Sequence, residues 1–226
     1  MLDRYSRNIE TLSIEENESL SLRKVCVVGC GGLGGYIIEM LGRLGIGHII
    51  AVDGDVFEES NLNRQILSDV EVVGSQKALI AQQRMLKVNP LIKVDAITER
   101  LTQANGKQTL CDADIVVDAL DSIESRLMLE ALCEELNIPL IHGAISGWYG
   151  QVSTILPGDK LLSRFYATKD LHGTEKKYGN PSFTPAMIAS IQVSEVLKLL
   201  IGRGELLNRK ILFIDLLRQE YDVIDF

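Results

Sequence analysis

The sequence has few of the residues that build metal sites and disulfide frameworks. Its 226 residues include four cysteines and three histidines. No two cysteines have C-x-x-C spacing, so a zinc site built from this chain alone is not expected. We interpret the four thiols as packing residues in a reducing compartment, namely Cys26, Cys30, Cys111 and Cys133.

Long basic runs and long apolar runs are missing as well. The formal net charge of −8 argues against nucleic acid as the main partner. No stretch reaches the roughly 18 apolar residues that would cross a membrane. Residues 1–8 are charged and lack the apolar core of a secretory signal, which predicts a cytoplasmic protein with no membrane partner.

Short apolar runs that alternate with helical patterns are what the sequence does contain. The near-continuous apolar character of these runs predicts a parallel sheet covered on both faces. Strands are predicted at 25–29, 48–53, 93–98, 114–121 and 139–144, and helices at 33–44, 77–89, 103–110 and 123–136. Two further helices, at 3–11 and 13–21, precede the first strand, and Ser13 is the expected N-cap of the second.

The pattern changes after residue 145. A strand at 151–156, a helix at 184–201 with Pro185 at its first position, and a terminal antiparallel hairpin at 210–225 are predicted. Residues 160–182 are mixed and polar, and we interpret them as a mobile crossing segment. The predicted fold is α/β, a Rossmann-like and mostly parallel sheet with helices on both faces, extended by C-terminal antiparallel strands. One domain is expected, divided into N-terminal helices (1–22), a nucleotide-binding core (23–145) and a crossover segment, helix and C-terminal strands (146–226).

Glycines follow the first predicted strand in the spacing G-x-G-x-x-G, at Gly29, Gly31 and Gly34. A tight turn from a strand into a helix presents backbone N–H groups and the positive end of the helix dipole to an anion. Asp53 ends the next apolar run, where a dinucleotide fold holds a ribose hydroxyl. The motif by itself predicts a nucleotide site and favours NAD or FAD.

The long polar loop at 54–72 changes that preference. It carries Asn61, Arg64 and Gln65, and Lys77 follows at the start of the next helix. Arginine offers a planar fork for phosphate, and lysine offers a compact charge. Their placement at one edge of the predicted sheet favours a triphosphate over a dinucleotide.

Asp121 ends the next apolar strand, at the same predicted edge. A carboxylate that faces phosphates is a suitable magnesium ligand. The alternative is that Asp121 caps the helix that begins at Ile123, since Asp121 and Ser122 both precede it. The two roles are compatible, and the sequence leaves both open.

The chain resembles the ThiF/MoeB/HesA family, the bacterial relatives of ubiquitin-activating (E1) enzymes. The resemblance extends from about Arg4 to Gly202. It rests on the order and spacing of Arg4-Tyr5-Ser6-Arg7, Gly29-Cys30-Gly31-Gly32-Leu33-Gly34, Asp53-Gly54-Asp55, Asn61-Leu62-Asn63-Arg64-Gln65, Gly74-Ser75-Gln76-Lys77 and Asp118-Ala119-Leu120-Asp121. It implies an ATP- and magnesium-dependent adenylyltransferase that activates the C-terminal glycine of a ubiquitin-like sulfur carrier of the ThiS/MoaD type, ending in Gly-Gly, in thiamine, molybdopterin or related biosynthesis.

The resemblance also implies roles for individual residues. Gly31 and Gly32, flanked by Gly29 and Gly34, would approach the nucleotide. Asp53 would hold the ribose beside Asp55, and Asp121 would bind magnesium. Arg7 would reach the active site of the other subunit of a homodimer. The phosphate contacts would come from Asn61, Arg64, Gln65 and Lys77, so the catalytic set is Arg7, Arg64, Lys77 and Asp121.

Two departures from the family pattern affect the expected chemistry. Many relatives carry two C-x-x-C pairs for a structural zinc, and this chain has neither, so no zinc is expected. Residues 157–190 contain no cysteine, which predicts adenylation without a covalent carrier–enzyme intermediate there. Two alternatives remain open: an E1-like enzyme that adenylates another carboxylate, such as that of a modified tRNA base or a peptide, and a non-catalytic NAD- or nucleotide-binding scaffold.

Overall fold

The computed structural model of the protein describes residues 3–167 and 178–226. Eight strands form one sheet in the order β3-β2-β1-β4-β5-β6-β7-β8. The first five strands of that order are parallel, and the remaining pairings are antiparallel. The strands are β1 (Lys24–Val28), β2 (His48–Val52), β3 (Lys93–Ile97), β4 (Ile115–Asp118), β5 (Leu140–Ser146), β6 (Tyr149–Ile155), β7 (Lys210–Asp215) and β8 (Glu220–Asp225).

Helices cover both faces of the parallel part of the sheet. The helices are α1 (Ile14–Leu20), α2 (Gly32–Leu44), α3 (Lys77–Val88), α4 (Gly106–Leu110), α5 (Ile123–Leu136), α6 (Leu161–Tyr166) and α7 (Phe183–Ile201), with two short 3₁₀ helices at Asp3–Asn8 and Glu59–Asn61. One core cluster joins one face of the sheet to α2, α3 and α7. A second cluster joins the other face to α4, α5 and α6. The predicted fold class is therefore confirmed.

The central strand β1 shows why the sequence gives this arrangement. Its residues alternate between the two clusters: Val25 and Val27 enter the first, and Cys26 and Val28 enter the second. All four are at most 1% exposed. A strand buried on both faces has to be apolar at every position, because neither set of side chains reaches water.

Several predicted boundaries shift in the structure. Helix α7 begins at Phe183 after Ser182, so Pro185 is its third residue and not its first. Strand β5 continues past its predicted end at 144 to Ser146, and β6 begins at Tyr149 instead of 151, so that residues 147–148 alone connect them, with Gly147 at φ +59°. The interpretation of 160–182 as mobile is wrong at its start, where α6 is a helix with four buried residues. Positions 168–177 of that segment lie outside the described residues.

Helix α7 is long and apolar enough, by length and composition, to cross a membrane. The sequence predicts a helix here, but not one apolar enough to cross a membrane. The helix packs along α2 and on strands β5 and β6, and its buried apolar residues belong to the first core cluster. Its apolar composition is accounted for by burial between a helix and a sheet.

The N-terminal segment docks at the end of α2 that is distant from the glycine loop. Asn89 donates hydrogen bonds from Nδ2 to Tyr5 Oη and to Gly42 O, both at 2.8 Å. A Cβ built on Gly45, which caps the C-terminus of α2, would lie 2.8 Å from the Tyr5 ring. Ser13 caps α1 with a reciprocal capping box to Glu16, as the sequence predicts.

Candidate active site

Two glycines of the loop after β1 are required by the backbone path. Gly29 has φ +99°, and a Cβ there would lie 2.5 Å from Ala119 O. A Cβ on Gly34 would lie 1.7 Å from Gly29 O, so any side chain would collide with the main chain. These glycines allow the first turn of α2 to pass directly over the ends of β1 and β4.

Gly31 and Gly32 differ from these two, because the protein leaves space beside them. A Cβ on Gly31 would meet nothing closer than the Gln65 side chain at 3.6 Å. A Cβ on Gly32 would meet Pro185 at 3.6 Å and Arg64 Cγ at 3.9 Å. Packing therefore does not exclude a Cβ at Gly31 or Gly32, and both glycines lie at the N-terminus of α2, where an anion is favoured.

Asp53 ties this loop to the next one. Its Oδ2 accepts the backbone N–H of Cys30 at 2.7 Å, and its Oδ1 accepts the backbone N–H of Asp55 at 2.8 Å. Both carboxylate oxygens are thus used to shape the site, and each retains lone pairs for a ligand hydroxyl. The predicted ribose contact remains a prediction.

Lys77 and Arg100 share the carboxylate of Asp55. Lys77 is 8% exposed, and its Nζ lies 3.8 Å from Asp55 Oδ2. Arg100 donates from Nη2 to Asp55 Oδ1 at 2.8 Å. The pKa of Arg100 is raised, first by the hydrogen bond to Asp55 and further by the charges of Asp121 and Asp53. Three carboxylates and two cations therefore meet at the carboxyl edge of the sheet.

Sequence reasoning missed Arg100. It comes three residues after β3 ends at Ile97, on the same edge of the sheet as Asp53 and Asp121. Asp53 is predicted as a site residue because it follows a strand at the carboxyl edge of the sheet, and the same reason applies to Arg100.

The loop before α3 holds Asn61 and Arg64 through its own backbone. Asn61 is 7% exposed and uses its Oδ1 to accept the Glu58 N–H at 3.1 Å, so its visible role is to close the turn. Arg64 donates from Nη1 to Ser60 O at 3.0 Å and to Asn63 Oδ1 at 2.8 Å. Both hydrogen bonds of Arg64 come from the same guanidinium nitrogen, and they hold the Arg64 side chain beside Gly32.

Gln65 supplies an unsatisfied group at the centre of the site. It is 6% exposed, and its buried Oε1 has no hydrogen-bond partner within the described chain. Its amide lies beside the Gly31 position. A buried amide oxygen left unpaired costs about 1–3 kcal/mol, so a ligand that supplies its partner at the glycine loop gains that energy on binding.

Asp121 is not the helix cap. Ser122 is the N-cap of α5, and its Oγ accepts the Ser125 N–H at 3.2 Å. Asp121 is exposed at the carboxyl edge, which leaves its carboxylate for a metal ion. Among residues 3–167 and 178–226, no group of three or more His, Cys, Asp or Glu side chains could hold a metal. A magnesium ion at Asp121 fits a site in which phosphate oxygens and water supply the remaining ligands.

Cys30 and Arg7 do not join the charged and polar side chains of the site, and the reason differs for each. Cys30 is fully buried in the core, and burial, followed by the charge of Asp53, holds the pKa of its thiol well above the ordinary range. This agrees with a packing thiol and not a nucleophile. Arg7 is exposed, and it belongs to the 3₁₀ helix docked beside Gly45, so it is not brought to the glycine loop of its own chain.

Comparison with known proteins identifies a family over almost the whole chain. A model of the ThiF family matches residues 5–226. A SAMP-activating enzyme E1 of Haloferax volcanii is 34% identical over 230 residues, which cover 100% of this chain and 85% of that protein. A sulfur carrier protein adenylyltransferase of Thermus thermophilus is 35% identical over 231 residues, which cover 97% of this chain and 85% of that protein.

A crystal structure of E. coli MccB has the same fold. It matches with a TM-score of 0.85 at 24% identity, over 99% of this chain and 69% of that chain. At this identity the match concerns the architecture: one sheet with C-terminal antiparallel strands and surrounding helices.

Proposed function

The chain belongs to the ThiF family, and from that membership we propose that it is an ATP-dependent adenylyltransferase that activates the C-terminal glycine of a ubiquitin-like sulfur carrier. Relatives at 34% and 35% identity are a SAMP-activating E1 and a sulfur carrier protein adenylyltransferase, which supports this activity. The observation that carries the proposal is the glycine loop at the N-terminus of α2, where Gly31 and Gly32 have room for a Cβ beside Arg64 and the unsatisfied Oε1 of Gln65.

The reaction requires positioning more than proton transfer. A carboxylate oxygen of the carrier forms a bond to the α-phosphorus of ATP, the bond to the bridging oxygen breaks, and pyrophosphate leaves. The attacking group is already ionised near neutral pH, so no general base is needed. The protein has to hold two anions together and stabilise charge on the phosphate oxygens.

Lys77 and Arg64 are suited to that task. The 3.8 Å separation of Lys77 Nζ from Asp55 Oδ2 is longer than a hydrogen bond, which leaves the ammonium able to donate to a phosphate. Arg64 spends one nitrogen on its own loop, so its other donors remain for an incoming ligand. We propose that Asn61 keeps this loop closed while Gln65 donates to the phosphates from its Nε2, the atom nearest the Gly31 position.

We propose that Asp53 binds the ribose and Asp121 binds magnesium. Magnesium, when bound, neutralises phosphate charge and aligns the leaving pyrophosphate. Ser122 frees Asp121 by taking the capping role, and Arg100 balances the negative charge of the neighbouring carboxylates.

We further propose a homodimer in which Arg7 serves the partner's site. Tyr5 lies against Gly45, the C-cap of α2, whereas the glycine loop lies at the N-terminus of the same 13-residue helix. Such a helix is about 20 Å long, which exceeds the reach of an arginine side chain. This separation supports a role for Arg7 at the site of another copy and not at the site of its own chain.

Residues 1–226 act in this proposal as one adenylation domain in the cytoplasm. No cysteine occurs at 157–190, so the activated carboxylate passes to an acceptor supplied by another protein or molecule, without a thioester on that segment. We expect no structural zinc site from this chain, because no two of its cysteines have C-x-x-C spacing.

Carrier-dependent ATP–pyrophosphate exchange tests the activity. We expect exchange only with a carrier that ends in Gly-Gly, and a loss of about 10²–10³-fold for Lys77→Ala. Lys93→Ala is the matched control, since Lys93 is an exposed lysine at the start of β3 that pairs with Asp95. ATP binding without exchange for any ThiS-, MoaD- or SAMP-type carrier would contradict the proposal.

Thermal shifts separate ATP from a dinucleotide. We expect stabilisation by ATP with magnesium and none by NAD. Stabilisation by NAD alone would instead support the nucleotide-binding scaffold.

Mixing two inactive variants tests the role of Arg7. If the sites are shared and the Arg7→Ala and Lys77→Ala subunits exchange at random, half of the dimers are mixed. One of the two sites in each mixed dimer is intact, so about one site in four regains activity. If light scattering shows that the protein is a monomer and this monomer is fully active, a shared site is ruled out.

A further inference from the structure

A buried polar cluster underlies the loop that carries Asp121. Asp118, at the end of β4, and Arg126, on α5, are 0% and 3% exposed. Neither side chain reaches the surface of the site, and the adenylation chemistry proposed above assigns them no role. Two ionisable side chains buried this deeply are costly unless their hydrogen bonds are satisfied.

Both side chains hold the same residue. Asp118 Oδ1 accepts the Leu120 N–H at 2.9 Å. Arg126 donates from Nε and Nη2 to Leu120 O, at 3.2 Å and 2.8 Å. The two backbone groups of Leu120 are therefore clamped by opposite charges, and Leu120 directly precedes Asp121.

Further contacts hold Asp118 in place. His142 Nδ1 lies 2.7 Å from Asp118 Oδ2, and the opposite ring nitrogen, Nε2, lies 2.9 Å from Gln151 Nε2. The amide nitrogen of Gln151 can only donate a hydrogen bond, so His142 Nε2 accepts it and His142 Nδ1 donates to Asp118. Gln192 donates to the main-chain oxygen of Asp118 at 2.8 Å. The carboxylate is thus fixed through both its side chain and its backbone.

We propose that Asp118 and Arg126 are positioning residues for the magnesium-binding carboxylate of Asp121. The inference rests on the proposed function, because it takes Asp121 as the metal ligand. A residue that is exposed on a short loop has many available positions, and a clamp on the preceding peptide removes most of them. Partners that orient a metal ligand typically contribute 10–100-fold to metal affinity.

Binding of Mn²⁺, measured by electron paramagnetic resonance with a non-hydrolysable ATP analogue present, tests this role. Arg126→Lys keeps the positive charge beside Asp118 but loses the forked contact to Leu120 O. We expect it to weaken Mn²⁺ binding by about tenfold or more. The affinity for the metal-free nucleotide should stay unchanged, which a general structural defect would not allow.

Glu130→Gln is the matched control. Glu130 is also buried on α5, but it accepts the N–H groups of Leu162 and Ser163, at 2.6 Å and 2.9 Å, and not those near Asp121. We expect Mn²⁺ binding of this variant to match the wild-type protein. A second variant, Arg126→Met, removes both the positive charge and the contacts to Leu120 O, and it should bind Mn²⁺ more weakly than Arg126→Lys.

Asp121→Asn separates the metal-binding role of Asp121 from the positioning role of Arg126. If Asp121→Asn weakens Mn²⁺ binding but Arg126→Lys does not, the positioning role is overturned and the metal assignment stands. If Asp121→Asn has no effect, the metal assignment and the positioning role are both overturned, while carrier-dependent exchange still tests adenylation independently.

Discussion

The carboxylate of Asp53 accepts the backbone N–H of Cys30 at 2.7 Å, and this contact joins the end of β2 to the glycine loop after β1. The other oxygen of Asp53 accepts the Asp55 N–H at 2.8 Å. One side chain thus connects the glycine loop to the loop that carries Asp55, the ion-pair partner of Lys77. Its position explains how two segments that are separate in sequence form one site.

Replacing Asp53 by asparagine should therefore affect stability as well as ligand binding. An amide presents one oxygen and one NH₂ group, so one of the two backbone N–H groups loses its acceptor. We expect Asp53→Asn to lower the unfolding free energy by about 1.5–3 kcal/mol, measured by denaturant titration, and to weaken ATP binding. Asp95→Asn, which weakens the part-exposed contacts with Lys93 and His48, should cost less than about 1 kcal/mol. Equal losses in the two variants would contradict a linking role for Asp53.

The glycine loop should respond differently to alanine at two neighbouring positions. Gly34→Ala places a Cβ 1.7 Å from Gly29 O, and this backbone oxygen cannot move aside as the end of a flexible side chain could. We expect a loss of about 3 kcal/mol or more in stability. Gly32→Ala has its nearest neighbour at 3.6 Å, so stability should change by less than about 1 kcal/mol. The affinity of this variant for ATP, measured by calorimetry, should nevertheless fall, because the added methyl group occupies the position proposed for the phosphates. An unaltered affinity would place the phosphates elsewhere.

The start of α5 should separate capping from metal binding. Ser122→Ala removes the Oγ that accepts the Ser125 N–H, and we expect it to lower the unfolding free energy by about 1 kcal/mol. Asp121→Asn removes no cap, so its effect on unfolding should stay within about 0.5 kcal/mol. Thermal and denaturant unfolding of the two variants in metal-free buffer provide the measurement. A larger loss for Asp121→Asn than for Ser122→Ala would show that Asp121 has a structural role.

The four thiols should differ sharply in reactivity. Cys26, Cys30 and Cys133 are buried, whereas Cys111 is exposed. Burial, followed by the charges of Asp118 and Glu130, raises the pKa of Cys133 to about 12, and burial raises the pKa of Cys30 as well. Thiolate is the reactive form, so a raised pKa slows reaction near pH 8. An aromatic disulfide reagent should titrate one thiol in the native protein and four after unfolding, and Cys111→Ser should abolish the native reaction. Rapid reaction of a second native thiol would contradict the burial of the other three.

Much of the architecture follows from local patterns in the sequence. The predicted limits of α5 match the structure because its ends carry strong local signals: Ser122 caps the N-terminus, and Asn137 adopts the left-handed conformation that ends the helix. The expected helix at 103–110 is shorter in the structure, where it begins at Gly106, since its weak pattern leaves the first turn to tertiary contacts. The shift of Pro185 within α7 has a similar origin, because proline is tolerated throughout the first turn.

The sequence by itself determined which chemical groups gather at the site. Strand ends marked by Gly29, Asp53 and Asp121 must share one edge of a parallel sheet, so their convergence is predictable from the strand pattern alone. Only the tertiary structure decided what each group does there. Asp53 bonds Cys30 and Asp55, Asp55 pairs with Arg100 at 2.8 Å, and the Asp118–Arg126 clamp closes on Leu120. Hydrogen bonds depend on distances of a few tenths of an ångström between segments that are remote in the chain, and such distances are set by the packing of the whole fold.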